Sequence, residues 1–149
     1  MGLERLAALA QGVHSNYDSD LFKPLLEAIG KRAGHRYGEQ DAADRSMRVI
    51  ADHLRAITFM IADGILPSNE GRGYVLRRIL RRAARHGRLL GVEESFMSGL
   101  TDAVAEQMGK AYPELRQAAA TVAEVTQVDE ERFIATLDQG LPILTDMVA

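Results

Sequence analysis

The sequence predicts an all-α fold: a helical bundle of about five to six helices with a long C-terminal helix. Three observations predict it. Apolar residues recur at spacings of three and four along most of the 149 residues, and no segment alternates with period two over a useful length. With four Tyr, four Phe and no Trp, the core must be filled by Ala, Leu, Ile, Val and Met, a palette that favours packed helices over a sheet. Hydrophobic content of 46% with 26% charge is globular, and one domain of this length buries roughly two-thirds of its unfolded surface.

The elements follow in order. Leu3, Leu6, Leu9 and Val13 make a short helical stripe, and His14–Asp20 is polar and turn-like. Leu21, Phe22, Leu25, Leu26 and Ile29 mark a second helix, with Pro24 acceptable in its first turn. After a loop over 34–40, Asp41 is an N-cap candidate for a helix of about five turns. Its stripe is Met47, Ile50, Leu54, Ile57 and Ile61, and Gly64 is placed to end it. Pro67, Ser68, Asn69, Gly71 and Gly73 make 65–73 a loop, and a helix resumes over 74–90. Phe96, Leu100, Val104 and Met108 predict a helix over 92–108. Beyond Pro113 a long apolar-periodic segment runs to the end, with a break expected around Gly140–Pro142.

Composition excludes several classes. Without Cys there are no disulfides or thiolate metal sites, and a reducing, cytoplasmic setting is the natural expectation. No apolar run approaches the roughly 18 residues a membrane helix needs, so no membrane partner is expected. The four histidines (14, 35, 53, 86) show no metal-ligand spacing, and no metal site is predicted. His53 reads as a packed histidine, while His86 flanks the basic segment and could touch a ligand there. Asp52 and Asp63 suit internal pairing with arginines better than acid–base work. No nucleophile–base arrangement is present.

The net charge of −3 conceals a division. Residues 71–90 hold seven arginines (72, 77, 78, 81, 82, 85, 88) and no acid, leaving −10 for the rest of the chain. On a helical wheel Leu76, Ile79, Leu80, Ala83, Gly87 and Leu90 share one side. Arg77, Arg78, Arg81, Arg82, Arg85 and Arg88 cover the other, so every guanidinium is expected to reach water. Like charges four apart cost an isolated helix a few tenths of a kcal/mol each. Two explanations stand: acids elsewhere in the chain neutralise the face, or it meets the phosphates of a nucleic acid, which planar guanidinium forks suit. The preceding loop offers permissive glycines and an amide, Asn69, able to read a base edge; Ser68 or Asn69 could equally be an ordinary helix N-cap. The loop lacks the Gly-Lys-Ser/Thr ending of a P-loop, and no strand precedes it.

The residues also carry a resemblance. Arg48-Val49-Ile50-Ala51-Asp52-His53, Ile61-Ala62-Asp63-Gly64 and the string from Pro67 to Ile79 with Arg81-Arg82-Ala83 closely resemble alanyl-tRNA synthetases. So do His14-Ser15-Asn16-Tyr17-Asp18 and Asp20-Leu21-Phe22, and Gly2-Leu3-Glu4-Arg5-Leu6 looks like the end of motif 3 of class II synthetases. The resemblance implies that residues 1–15 end the class II catalytic core, with Arg5 and Gly2 at ATP, and that 16–149 form a helical domain reading the tRNA acceptor stem. It places Asn69 at the G·U wobble pair of alanine tRNA, where the guanine amino group is less engaged, and assigns tRNA contacts to Arg72, Arg77, Arg78, Arg81, Arg82, Arg85 and Arg88. The family's second wobble reader, an Asp in an Asp-Thr-Tyr-Gly-Phe-Pro string, is absent, as are motifs 1 and 2. The isolated chain is therefore expected to contain no catalytic residues and to bind no cofactor itself; ATP and Mg belong to the full enzyme, and zinc lies outside this segment. Expected partners are the acceptor stem, the remainder of the synthetase chain and, through an exposed face of the last helix, a second copy in a dimer.

Overall fold

A computed structural model describes residues 2–148, which form seven α-helices and one 3-10 turn, with no strand among the described residues. Helix α1 (Leu3–Gln11) closes at Gly12, whose left-handed φ of 67° lets the Gly12 and Val13 amides return to Leu9 and Ala8. It buries only Ala8 and leaves Leu3, Leu6 and Leu9 exposed. The 3-10 turn (Asn16–Asp18) is capped by the Ser15 hydroxyl. Helix α2 (Lys23–Ala33) carries Pro24 in its first turn, as its sequence predicts, and ends at left-handed Gly34.

Helices α3 (Asp41–Ala62) and α4 (Gly71–Leu89) are the most extensively packed pair. The predicted stripe of α3 is the centre of the core: Met47, Ile50, Leu54 and Ile57 are fully buried. They meet Leu76 and Leu80 of α4, and Leu25, Leu26 and Ile29 of α2. Helix α5 (Ser98–Met108) adds Leu100 and Val104, and the short α6 (Glu114–Gln117) adds Leu115. Helix α7 (Ala119–Val148) is the long C-terminal helix; its first half packs on α4 and α5 through Val122, Val125 and Phe133. The buried large side chains alone account for a substantial hydrophobic contribution, at about 1.5–3 kcal/mol each.

Four boundaries differ from the sequence reading. Gln40, not Asp41, is the N-cap of α3, and no side chain caps it; Asp41 sits inside the first turn. Asp44 instead turns back to accept the Gly38 amide. Helix α4 begins at Gly71 rather than Tyr74, because Gly73 is a packing residue. A Cβ there would run into the Leu66 carbonyl and the Ser68 side chain. Helix α5 starts at Ser98, six residues later than expected, since 92–97 is a loop folded over a carboxylate of α7. That carboxylate is Glu130, fully buried, and it accepts the Phe96 and Met97 amides at 3.1 Å each. Finally, α7 runs unbroken through Gly140–Pro142. Proline removes one helical hydrogen bond, but residues 138–148 are exposed, and nothing there forces the chain to turn.

Candidate nucleic-acid interface

The apolar side of α4 faces the core as the wheel predicts, with Leu76, Leu80, Ala83 and Gly87 buried. Gly87 is needed because a Cβ would strike the Phe96 ring. The polar side is not uniform. Arg72, Arg78, Arg81, Arg82 and Arg85 are exposed. Arg78, Arg81 and Arg82 line an open groove of about 490 Å³ with Val75, Ile79 and His53 from α3. Arg78 lies over the exposed Tyr74 ring and Arg81 over Phe133 of α7, each within 6 Å of the ring centroid. None of these five guanidiniums makes an ion pair among the described residues.

Arg77 and Arg88 are different, and they correct the expectation that every guanidinium reaches open water. Both are half-buried against α7. Arg77 Nε stands 3.4 Å from Asp129 Oδ1, and Arg88 Nη2 donates to Asp138 Oδ1 at 2.5 Å. Internal neutralisation thus accounts for two of the seven arginines and leaves five open. Asp129 and Asp138 lie fifty residues along the chain. Asp129 shows in the sequence as part of a run of acids, Asp129-Glu130-Glu131, and Asp138 as a single acid further on.

Asn69 is exposed at the start of α4 and is not its cap; Glu70 occupies the N-cap position without a side-chain bond, and the Ser68 hydroxyl donates to the Glu70 carbonyl. Instead Asn69 Oδ1 accepts a hydrogen bond from Arg77 Nη1. Since a guanidinium has only donors, the atom facing it must be the amide oxygen, and this fixes which way the amide lies. The outward group is then the Nδ2 donor pair. The Nδ2 pair can donate to an acceptor on a base edge, and Oδ1 keeps a second lone pair able to accept from a donor such as the guanine amino group.

The histidines do not make a site. His53 is mostly buried, its Nδ1 3.1 Å from Asp52, and the hydrogen bond from His53 holds the Asp52 carboxyl below its usual range, aided by Arg55 and Arg82. His86 Nδ1 lies 3.0 Å from the Ser46 hydroxyl. Burial, then Arg82 and Arg85, push its pKa down, so it adds no charge to the face at neutral pH. His35 donates through Nε2 to the Leu90 carbonyl, tying the 34–40 loop to the end of α4. No cluster of three or more metal-ligating side chains exists among the described residues.

Gly2 and Arg5 are both exposed, Gly2 as the N-cap of α1 and Arg5 in its first turn. Between them Glu4 accepts from Arg55 Nη2 of α3 at 2.8 Å, and Arg55 lies over the Phe22 ring. Helix α1 is thereby linked to the helix that packs beneath the arginine face, but Arg5 itself lies outside the α4 groove. No helix among the described residues is long and apolar enough to cross a membrane.

The described residues thus form a helical body with one basic, open helix and an exposed amide at its entry. Comparison with known families gives it a class: the model of "tRNA synthetases class II (A)" matches residues 1–149, and the chain belongs to that family. Within it, the similarity is to alanine–tRNA ligases. Those of Thermotoga petrophila and Acidithiobacillus ferridurans are each 54% identical, over 99% and 100% of this chain. That of an Anaeromyxobacter species is 58% identical over 96%. The chain spans only 16–17% of the length of these relatives.

Proposed function

We propose that this chain is the acceptor-stem-binding segment of a longer alanine–tRNA ligase, holding the tRNA so that its 3′ end reaches an adenylate formed elsewhere in the enzyme. The observation that carries the reading is the set of five exposed guanidiniums on α4, Arg72, Arg78, Arg81, Arg82 and Arg85, without an ion pair among the described residues and directly after the loop that presents Asn69. Five like charges on one face repel one another and, among the described residues, meet no carboxylate in an ion pair, whereas a phosphate backbone meets them with sequence-independent affinity. Asn69 supplies the discrimination between a G·U wobble pair and a G·C pair.

Residues 1–15 then belong to the end of the catalytic core, with Gly2 and Arg5 meeting ATP phosphate in the full enzyme, and 16–149 form the tRNA-reading domain. ATP and Mg act in the whole ligase, not in this segment alone. The exposed Leu141, Ile143, Leu144, Met147 and Val148 of α7 support association through that helix, with the remainder of a synthetase or with a second copy.

The test is binding of acceptor-stem hairpins followed by fluorescence anisotropy. Affinity should fall linearly on a log–log plot against salt, and each open arginine changed to Ala should lower the slope by about 1. Asn69→Ala should abolish the preference for G·U over G·C, a loss of ~1–3 kcal/mol in discrimination. Binding indifferent to salt, or no binding, rules the reading out.

A further inference from the structure

Arg77 sits on the same helix as the open arginines and is spelled like them, yet its two engaged nitrogens point at protein. Nη1 donates to Asn69 Oδ1, and Nε faces Asp129 Oδ1 at 3.4 Å. Asp129 belongs to α7 and is only 5% exposed. It meets Arg77 from the face of α7 that also lines a pocket with Leu66 and Pro67 of the loop. The Asn69 backbone lies in an exposed loop whose other side-chain bond, among the described residues, is the local one from Ser68 to Glu70. The orientation of the Asn69 amide is therefore set from below, through Arg77, by a carboxylate on another helix.

We infer that Asp129 and Arg77 are positioning residues for Asn69: Asp129 anchors the Arg77 guanidinium, and Arg77 grips the Asn69 amide oxygen so that its Nδ2 donors face the ligand. Arg77 is thereby removed from the set of phosphate contacts. The inference rests on the reading of Asn69 as the discriminating residue. Arginine suits the place better than lysine, because its planar guanidinium can give one nitrogen to the Asn69 amide in a hydrogen bond while Nε, which makes no hydrogen bond of its own, stays within ion-pair range of the acid. A lysine ammonium preserves the charge but offers one nitrogen, which cannot hold both partners.

The experiment uses the 149-residue chain with two acceptor-stem hairpins, one carrying G·U and one G·C, each titrated at several salt concentrations. Asn69→Ala calibrates the scale. Arg77→Lys and Asp129→Asn should lose most of the G·U preference that Asn69→Ala loses, while affinity for the G·C stem and the salt slope stay at the wild-type values. Loss of selectivity alone does not suit a phosphate contact: disturbing one would weaken both stems equally, and equal weakening of both stems by Arg77→Lys overturns the inference. So does a wild-type preference in both variants. If Asn69→Ala itself leaves the preference untouched, the discriminating role of Asn69 fails instead, and the two failures are told apart. A measurement without RNA guards against variants that merely fold poorly. The side-chain amide resonances of Asn69 should move toward free-asparagine positions in Arg77→Lys while backbone resonances of the core remain in place. Unmoved Asn69 resonances would overturn the inference.

Discussion

The two flanks of α4 make the instructive comparison. On the open flank, Arg78, Arg82 and Arg85 face solvent, Arg81 is exposed at the border where it lies over Phe133 of α7 without a carboxylate partner, and Arg78, Arg81 and Arg82 share the groove with Val75 and Ile79. On the closed flank Arg77 and Arg88 lie against α7 and meet Asp129 and Asp138. Residue type, helix and local spacing are the same, so intrinsic chemistry cannot separate the two groups. What separates them is the long helix that covers one side. A guanidinium facing a buried carboxylate is part of the protein's own framework, and one facing water is available to a phosphate. The comparison predicts that closed-flank substitutions act on stability and open-flank substitutions on RNA affinity.

The largest effect should come from Arg77→Ala. Asp129 is left as a buried carboxylate without its cation, a change that costs about 3–5 kcal/mol. Urea unfolding should show this as a lower midpoint with an unchanged slope. A midpoint within error of wild type would place Arg77 with the open flank.

Glu130, next to Asp129 on α7, sharpens the comparison, because it is a buried carboxylate held by two backbone amides instead of a guanidinium. Burial pushes its pKa up to about 7 against the opposing pull of the Phe96 and Met97 amides. The folded state then holds more protons than the unfolded one between pH 4.5 and about 7, so this group's contribution to stability falls as pH rises through that window and is flat above it. The span corresponds to ~3 kcal/mol at most. His86, with its pKa pushed down, has the opposite sign, losing stability as pH falls below its ordinary value of 6.5. The difference between wild type and Glu130→Gln isolates the Glu130 part: the variant should lack the decline between pH 5 and 7 in thermal melts. Parallel profiles would remove Glu130 as the source.

How much of this was legible in the sequence follows the same division. The α3 stripe, the apolar side of α4, the long last helix and the concentration of arginines all express local periodicity, which a sequence displays directly. The start of α4 was misplaced because Gly71 and Gly73 look like loop residues, whereas Gly73 is glycine to admit the Leu66 carbonyl and Ser68. The start of α5 was misplaced because the loop before it is held by Glu130, more than thirty residues away. Asn69 was read as either a cap or a base reader, and the structure gives its amide oxygen to Arg77. The Gly73 and Asn69 misses are contacts within eight residues whose geometry periodicity does not encode, while the Glu130 miss is a tertiary neighbour that no wheel or window contains. The closed flank was invisible for that reason and no other, since Asp129 and Asp138 meet α4 only when α7 packs on it.

Arg88→Ala should cost far less than Arg77→Ala, although both break an ion pair with α7. Asp138 is more than half exposed and can regain water when its partner leaves, so the loss should be about 1 kcal/mol or less. A loss as large as that of Arg77→Ala would mean that burial of the acid is not what distinguishes the two pairs.

The smallest stability effect belongs to the open flank, and it is the most telling. Arg85 is exposed, makes no ion pair among the described residues, and stands one turn from the like charge of Arg81. Arg85→Ala removes that repulsion, worth a few tenths of a kcal/mol, and puts the best helix former in its place. Unfolding free energy should therefore stay within about 0.5 kcal/mol of wild type, with any change in the stabilising direction. The same variant should bind an acceptor-stem hairpin more weakly, with a salt slope lower by about 1. A residue whose removal leaves the fold as stable as before yet weakens the complex has its partner outside the chain. A destabilised variant with unaltered RNA binding would instead return Arg85 to the closed flank and leave the face with one phosphate contact fewer.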